Sequence, residues 1–381
     1  MMQKANIVGI GAVSGYGIGI TSLVSGLKSG VSAVQPQPGD GTFIHNEKHF
    51  ARAPIEEPED HKLTRFSVGF EAAFDEAIAD ARKRGWTPGA RVAIVQGSAR
   101  GDVQGTMTLM EDPKEHIRRT YISCLASTPM AVAAKNHGFH GPVFTVNGTC
   151  ATGLFALATA QRLLICDDAT DVIVCGTDIG SSDAIFDGLE QLGVLVSDRP
   201  ALDASKPMNP DSQGFVMGEG CGVLVLSKAH ADSRYMTVGS SVMANDGYHP
   251  ISIDPEHLQI AHAIEDALRR ADISAEEIQT YVAHGTGTQQ CNASDLHAFA
   301  KVPNAGRVLA PKPYLGHTRA AASVLETIIL ACHAEGRLDA ADLEAIAPDI
   351  ATARTASAQF LPALHMSLGA GGNVATAVYE P

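Results

Sequence analysis

The sequence predicts an α/β fold made of two similar halves, and three observations carry that reading. Short β-branched and apolar runs alternate with helical patterns along all 381 residues. Most of the runs are almost continuously apolar and close on Gly or Ser, as strands do in sheets covered on both faces. An opening strand followed by a helix occurs twice, near 5–13 and near 235–243, and each half places a Gly-rich turn after a later strand. A chain that is 45% hydrophobic, with 37 glycines and 5% aromatics, suits a compact protein. Its length favours two core-forming halves over one, and we place them at 1–234 and 235–381.

In chain order, strands are expected in IVGIGAV, RVAIVQGS, PVFTVNGT, DVIVCGTD, CGVLVLS, YMTVGSSVMAN, TYVAHGT and HMSLGAGG. Amphipathic helices are expected at roughly 66–84, 150–165, 256–271 and 318–334. The apolar start, MMQKANIVGIGAVSG, is punctuated by Gly, so it reads as a first strand rather than a signal peptide. No run of about 18 uncharged apolar residues occurs, so no transmembrane helix and no membrane partner are expected. The seven cysteines (Cys124, Cys150, Cys166, Cys175, Cys221, Cys291 and Cys332) are odd in number and lack CxxC spacing. A disulfide framework or zinc site would need paired spacing, so the expectation is a reducing, cytoplasmic setting with no metal and no resident cofactor. A formal net charge of −14 without a basic run argues against nucleic acid as the main partner.

Four motifs carry chemistry. In VNGTCATGLFALATAQRLLI, a strand runs through a small-residue turn into Cys150, where an apolar helix starts. A helix N-terminus offers unsatisfied N–H groups and partial positive charge, which favour thiolate and make Cys150 a natural nucleophile. The same spacing also suits a buried structural cysteine at a tight strand–helix junction. In TYVAHGTGTQQ, His284 follows a strand inside a Gly/Thr turn, where a substrate can approach ring and backbone together; a satisfied structural histidine fits the same place. In LAPKPYLGHTRAAASVLETII, His317 sits at a Gly turn before an Ala-rich helix, with Lys312 upstream and Glu326 within that helix. MSLGAGGNVA is a Gly-rich turn that can offer backbone N–H groups to an oxyanion, or serve only as a turn.

In this order and separation, the four motifs resemble the β-ketoacyl-acyl-carrier-protein synthases of the elongating Cys-His-His type, within the thiolase-like superfamily. The resemblance covers essentially the whole chain. VGIGAVSGYG is similar to the family's opening strand and turn, and LKSGVSAV to its LxxGxSGI segment. PMNPDSQGFVMGEGCGVLVL is similar to PFDxxRDGFVxGEGAGVLVL, and NDGYH to SDAYH.

The resemblance implies a five-layer αβαβα fold of two similar halves, usually dimeric, and a decarboxylative Claisen condensation. Cys150 would take an acyl chain from the phosphopantetheine of an acyl carrier protein. His284 and His317 would stabilise the enolate formed when malonyl-carrier protein loses CO2. The backbone N–H groups of Cys150 and Ala370 would form the oxyanion hole. Lys312 and Glu326 would support the histidines electrostatically. Thr286 and Thr288 would hydrogen-bond the pantetheine arm, with Phe215 and Leu368 lining the site beside it. Lys62, Arg65 and Lys206 would receive the acidic carrier protein.

The chain also departs from the family pattern. SFGFGGTN reads SLGAGGNV, so the usual gating phenylalanine is Ala370 and the first phenylalanine is Leu368. A smaller residue there would admit bulkier or longer primers, unless the pocket compensates elsewhere. Pro313 replaces the serine of KSxxGH, and Ala320 and Ser323 replace glycines. Asn292 replaces an aspartate, Asp295 stands where glutamate is common, and Ser212-Gln213 replaces the charged pair before Gly-Phe. These changes fit a divergent branch, in fatty-acid or polyketide and aryl-polyene-type biosynthesis. The partner would be a second copy or a paralogous ketosynthase-like subunit. A chain-length-factor-like subunit without catalysis is the rival reading, and the presence of Cys150, His284 and His317 weighs against it.

Overall fold

The computed structural model describes residues 4–38, 47–59, 63–111, 121–229, 234–350, 354 and 359–381. The first half contributes strands β1 (Ala5–Ser14), β2 (Val92–Gly97), β3 (Val143–Val146), β4 (Asp171–Asp178) and β5 (Gly220–Ser227). The second contributes β6 (Met236–Asn245), β7 (Thr280–Val282), β8 (Arg307–Leu309), β9 (Ala363–Gly369) and β10 (Asn373–Glu380). They lie in the order β8-β7-β9-β10-β6-β1-β5-β4-β2-β3. Counted within its own half, each set has one arrangement: third, second, fourth, fifth, first. The pairing senses repeat as well. The second strand is parallel to the third and fourth, and the fifth is antiparallel to the fourth and first. A short antiparallel pairing of β1 with β6, from Ala5↔Val238 to Ile7↔Met236, joins the halves.

Helices fill three layers around these sheets. Helices α1 (Arg65–Lys83) and α2 (Thr128–His137) pack on the outer face of the first sheet, with Phe70, Phe74 and Ile78 against Val8, Ile94, Ile173 and Val223. Between the sheets lie α3 (Thr152–Ile165) and α6 (Ala322–Ala334), whose Leu154, Leu157, Ile328 and Ile329 share a core with Ile7, Val172, Leu224 and Ala377. Helices α4 (Leu258–Ala271) and α5 (Gln289–Ala300) cover the far face, with Ile264 and Phe299 against Tyr281, Leu364 and Val378.

Alternation along the strands explains their continuous apolar sequences. In β4, Val172 and Val174 face the central layer while Ile173 and Cys175 face the outer one, and in β5 Leu224 and Leu226 alternate with Val223 and Val225 in the same way. Both faces are covered, so both sets of positions are apolar through the middle of these strands. The two central helices are apolar around most of their circumference for the same reason. The strand expected in PVFTVNGT departs from that rule. It forms the outer edge of the first sheet, and Val143 and Phe144 are 43% and 40% exposed.

Candidate active site

Cys150 lies in a single 3-10 turn, Thr149–Ala151, between β3 and α3. Thr149 adopts φ 53°, a conformation costly for a β-branched residue, so the turn is held by its surroundings rather than by local preference. Those surroundings include the end of β9. The Ser367 hydroxyl donates to the Cys150 carbonyl at 3.3 Å, and the Thr149 hydroxyl donates to the Ala370 carbonyl at 3.0 Å. Gly369 is required between them, since a Cβ there would stand 2.2 Å from the Gly148 carbonyl oxygen. The Gly-rich turn therefore presses directly on the cysteine turn, with Ala370 exposed at the mouth.

The next residue ties in the first histidine. The Leu368 N–H donates to His284 Nδ1 at 3.2 Å, which leaves the His284 proton on Nε2, available to a substrate oxygen. The His284 backbone is fixed by Asp295, whose carboxylate accepts the N–H groups of His284 and Gly285, both at 2.8 Å, and the Tyr281 hydroxyl at 2.8 Å. Burial pushes the Asp295 carboxyl up to about 6, with these donors pulling the other way. Asn292, one turn earlier, instead bridges to Met208 N and Asn209 O at 2.9 Å each.

His317 approaches from the other side, held by a backbone hydrogen bond to Val216 at 2.7 Å and by Phe215, edge to face at 5.2 Å between centroids. Its ring lies 5.9 Å from that of His284 at 88°, and neither of its nitrogens has a hydrogen-bond partner among the described residues. Burial, reinforced by Lys312, holds both imidazoles well below 6.5, so both are neutral. Lys312 and Glu326 form a buried ion pair at 2.6 Å. The support that they give His284 runs through the backbone: Lys312 Nζ donates to the His284 carbonyl. Glu326 reaches His365 Nε2 at 3.0 Å, a fully buried histidine that the sequence reading did not single out. Its position on β9, alternating with Leu364 and Met366, was the available signal.

At the cysteine, desolvation works against the activation that its helix position suggests. The residue is half-buried, and desolvation of the thiol pushes it up to about 11, with Arg319 and Lys312 pulling the other way. Desolvation of an anion thus favours the thiol, in opposition to the partial positive charge at a helix start. Thr286 and Thr288, 3.4 Å apart through their hydroxyls, lie on the His284 side, where both interact with the Cys291 thiol.

The expected docking residues separate. Arg65 is not on the surface: it is 3% exposed and grips Glu219 through two hydrogen bonds of 3.0 and 2.7 Å, with further bonds to the carbonyls of Ile55 and Ala53. It is a structural ion pair, and cannot receive a partner. Lys206 is exposed, and Lys62 lies outside the described residues. No helix among the described residues is long and apolar enough to cross a membrane, and no cluster of His, Cys, Asp or Glu among them could hold a metal ion.

Residues 2–231 match the beta-ketoacyl synthase N-terminal domain, and residues 235–338 match the corresponding C-terminal domain. The 3-oxoacyl-[acyl-carrier-protein] synthase 2 of Rhizobium meliloti (strain 1021) is 29% identical over 314 residues, covering 77% of this chain and 72% of the relative. A Streptomyces cyaneus protein described as a polyketide beta-ketoacyl synthase is 29% identical over 369 residues, 86% of this chain and 85% of its own. Among solved structures, the ishigamide ketosynthase/chain length factor has a TM-score of 0.81 at 23% identity, over 100% of this chain and 99% of that one. A type II polyketide ketosynthase in complex with its acyl-carrier protein has a TM-score of 0.83 at 22% identity, over 100% of both chains.

Proposed function

This chain belongs to the beta-ketoacyl synthase family, and from that premise we propose that it condenses an acyl chain held on Cys150 with a malonyl thioester, releasing CO2. The carrying observation is the pair of neutral imidazoles, His284 and His317, at 5.9 Å, with His284 joined to the Cys150 turn through Leu368 and Ser367. Acyl transfer alone does not call for two such donors; an enolate does.

In the first step Cys150 Sγ attacks the acyl thioester carried on phosphopantetheine. With the thiol at about 11, its proton must leave as the S–C bond forms. A neutral imidazole accepts it and returns it to the departing pantetheine sulfur. In the second step the malonyl thioester loses its carboxyl group as CO2, and the electron pair enters an enolate. Hydrogen bonds from the imidazoles stabilise its oxygen, each worth about 3–4 kcal/mol of barrier. The enolate carbon attacks the Cys150 thioester, the oxyanion rests on the N–H groups of Cys150 and Ala370, and the thiolate leaves to give the 3-oxoacyl product. Phosphopantetheine belongs to the substrate, so no resident cofactor enters these steps.

An acyl carrier protein is the partner this chemistry needs, and exposed Lys206 is a cation in place to meet its acidic surface. The bare apolar edge at Val143 and Phe144 suits a second subunit, a copy or a paralogue. The test is to incubate the protein with acyl- and malonyl-carrier protein and to follow CO2 and product mass. A 3-oxoacyl product that disappears in Cys150→Ala supports the proposal. Normal product from that variant overturns it, and product only after adding a paralogous synthase favours a chain-length-factor-like subunit.

A further inference from the structure

The turn after His317 carries a side chain that the condensation does not use. Arg319 heads a 3-10 turn, Arg319–Ala321, and adopts φ 51°, although left-handed backbone costs a non-glycine residue about 1–2 kcal/mol. Its side chain is buried, with the residue 6% exposed. Nε lies 3.6 Å from Asp178 Oδ2, an ion pair too long for a hydrogen bond, and Nη2 donates to Ser181 Oγ at 3.4 Å. Nε and Nη1 have no hydrogen-bond partner among the described residues. Of five donors the guanidinium thus uses one, where a buried cation normally fills them.

Asp178 does not complete the site. Its carboxylate already accepts the Ser98 hydroxyl at 3.2 Å and the N–H groups of Ala99 and Ala320 at 3.3 and 2.9 Å. Burial also pushes its carboxyl up, which weakens it as a counter-ion. A second guanidinium, Arg100, follows β2 and interacts with Arg319, Asp178 and Cys150. Asp178 is ion-paired with Arg319 alone among the described residues. Arg100 is an exposed second cation near that pair at the ends of β2 and β4, and the Arg319 turn packs against the turn of Cys150. Ser181 is fixed in place because its N–H and that of Gly180 donate to Glu219 at 2.9 and 2.8 Å. The result is a pre-built spot of excess positive charge beside the thiol, in a chain whose formal net charge is −14.

We propose that Arg319, assisted by Arg100, recognises a carboxylate at the free end of the acyl group on Cys150, so that the substrates of this site are ω-carboxyacyl thioesters. The inference rests on the reading of Cys150 as the acyl holder. The malonyl carboxylate is not its ligand: a guanidinium paired with that group would stabilise the form that must be lost as CO2 and would raise the barrier.

The test compares loading of Cys150 by glutaryl- and pentanoyl-N-acetylcysteamine, read by intact mass, in wild type, Arg319→Gln and Arg319→Lys. Wild type loads the glutaryl ester about tenfold faster, the glutamine variant loses the preference, and the lysine variant keeps part of it. Equal loading in wild type overturns the proposal, with pentanoyl loading still upholding the function. Unchanged preference in Arg319→Gln also overturns it, and equal slowing of both esters there assigns Arg319 to thiol reactivity instead. Loading of neither ester removes the functional reading. The alkylation ratio of Cys150 by iodoacetate over iodoacetamide, at one pH, then decides the anion site alone, because the thiolate fraction cancels. A wild-type ratio about tenfold above that of free cysteine, falling in Arg319→Gln, supports the site; a ratio equal to free cysteine contradicts it.

Discussion

Thr149 and Arg319 hold corresponding places in the two halves. Each heads a 3-10 turn that follows the third strand of its half, each is left-handed, at φ 53° and 51°, and each leads into a helix buried between the sheets. The turns are packed together so closely that a Cβ on Gly153 would stand 2.8 Å from the Ala320 carbonyl oxygen. Their loads differ. The first turn presents a thiol at its second residue, where the second turn has Ala320. The second half places its reactive groups around the turn instead, His317 before it and the Arg319 guanidinium at its head. The duplicated backbone supplies two strained platforms, and the side chains decide what each one does. Desolvation then acts in opposite senses on the two kinds of group, pushing the thiol up and the imidazoles down, so that each favours its uncharged form.

Removing the load of the first turn has the largest effect. Cys150→Ala should leave no acyl adduct by mass and lower condensation at least about 10^3-fold. Removing a donor from the second half comes next: His284→Ala and His317→Ala should each lower the rate of CO2 release from malonyl-carrier protein by about 10^2–10^3-fold, with KM little changed. Lys312→Ala leaves Glu326 without its cation and should lower stability by about 3–5 kcal/mol in urea titration. Thiol reactivity shows which force governs the cysteine. Alkylation of Cys150 by iodoacetamide should rise about tenfold per pH unit from 7 to 9, since the thiolate fraction grows until pH passes about 11. A plateau near pH 7.5 would mean that the helix start dominates after all. The smallest effect tests the strain itself. Glycine at 149 or 319 should exceed alanine at the same position by about 1 kcal/mol of stability, in both halves.

Much of this was legible in the sequence, for identifiable reasons. Strands buried on both faces write continuous apolar runs, so β1, β4 and β5 stood out. Helices expected near 66–84 and 256–271 form at Arg65–Lys83 and Leu258–Ala271, because their apolar spacing matches a single covered face. Cys150, His284 and His317 could be singled out because each sits in a turn of small residues. What stayed hidden depends on partners distant in the chain. Arg65 reads as a surface cation until Glu219 arrives from β5's approach to bury it. The exposure of Val143 and Phe144 follows from the place of β3 at an edge, which is a property of the whole sheet. His365 looks like an ordinary strand residue without Glu326 beneath it. Arg319 vanishes in an Ala-rich run until Asp178 faces it. At Cys150 the helix start is visible in sequence, while the desolvation that opposes it depends on the folded surroundings.

The central claim is a division of labour, with the acyl group held by the first half and CO2 loss driven by the second. CO2 release from malonyl-carrier protein, measured without any acyl donor, tests it most directly. The account predicts that Cys150→Ala still releases CO2 while forming no 3-oxoacyl product, and that His284→Ala and His317→Ala lose both. Release that stops in Cys150→Ala but continues in the histidine variants would contradict it.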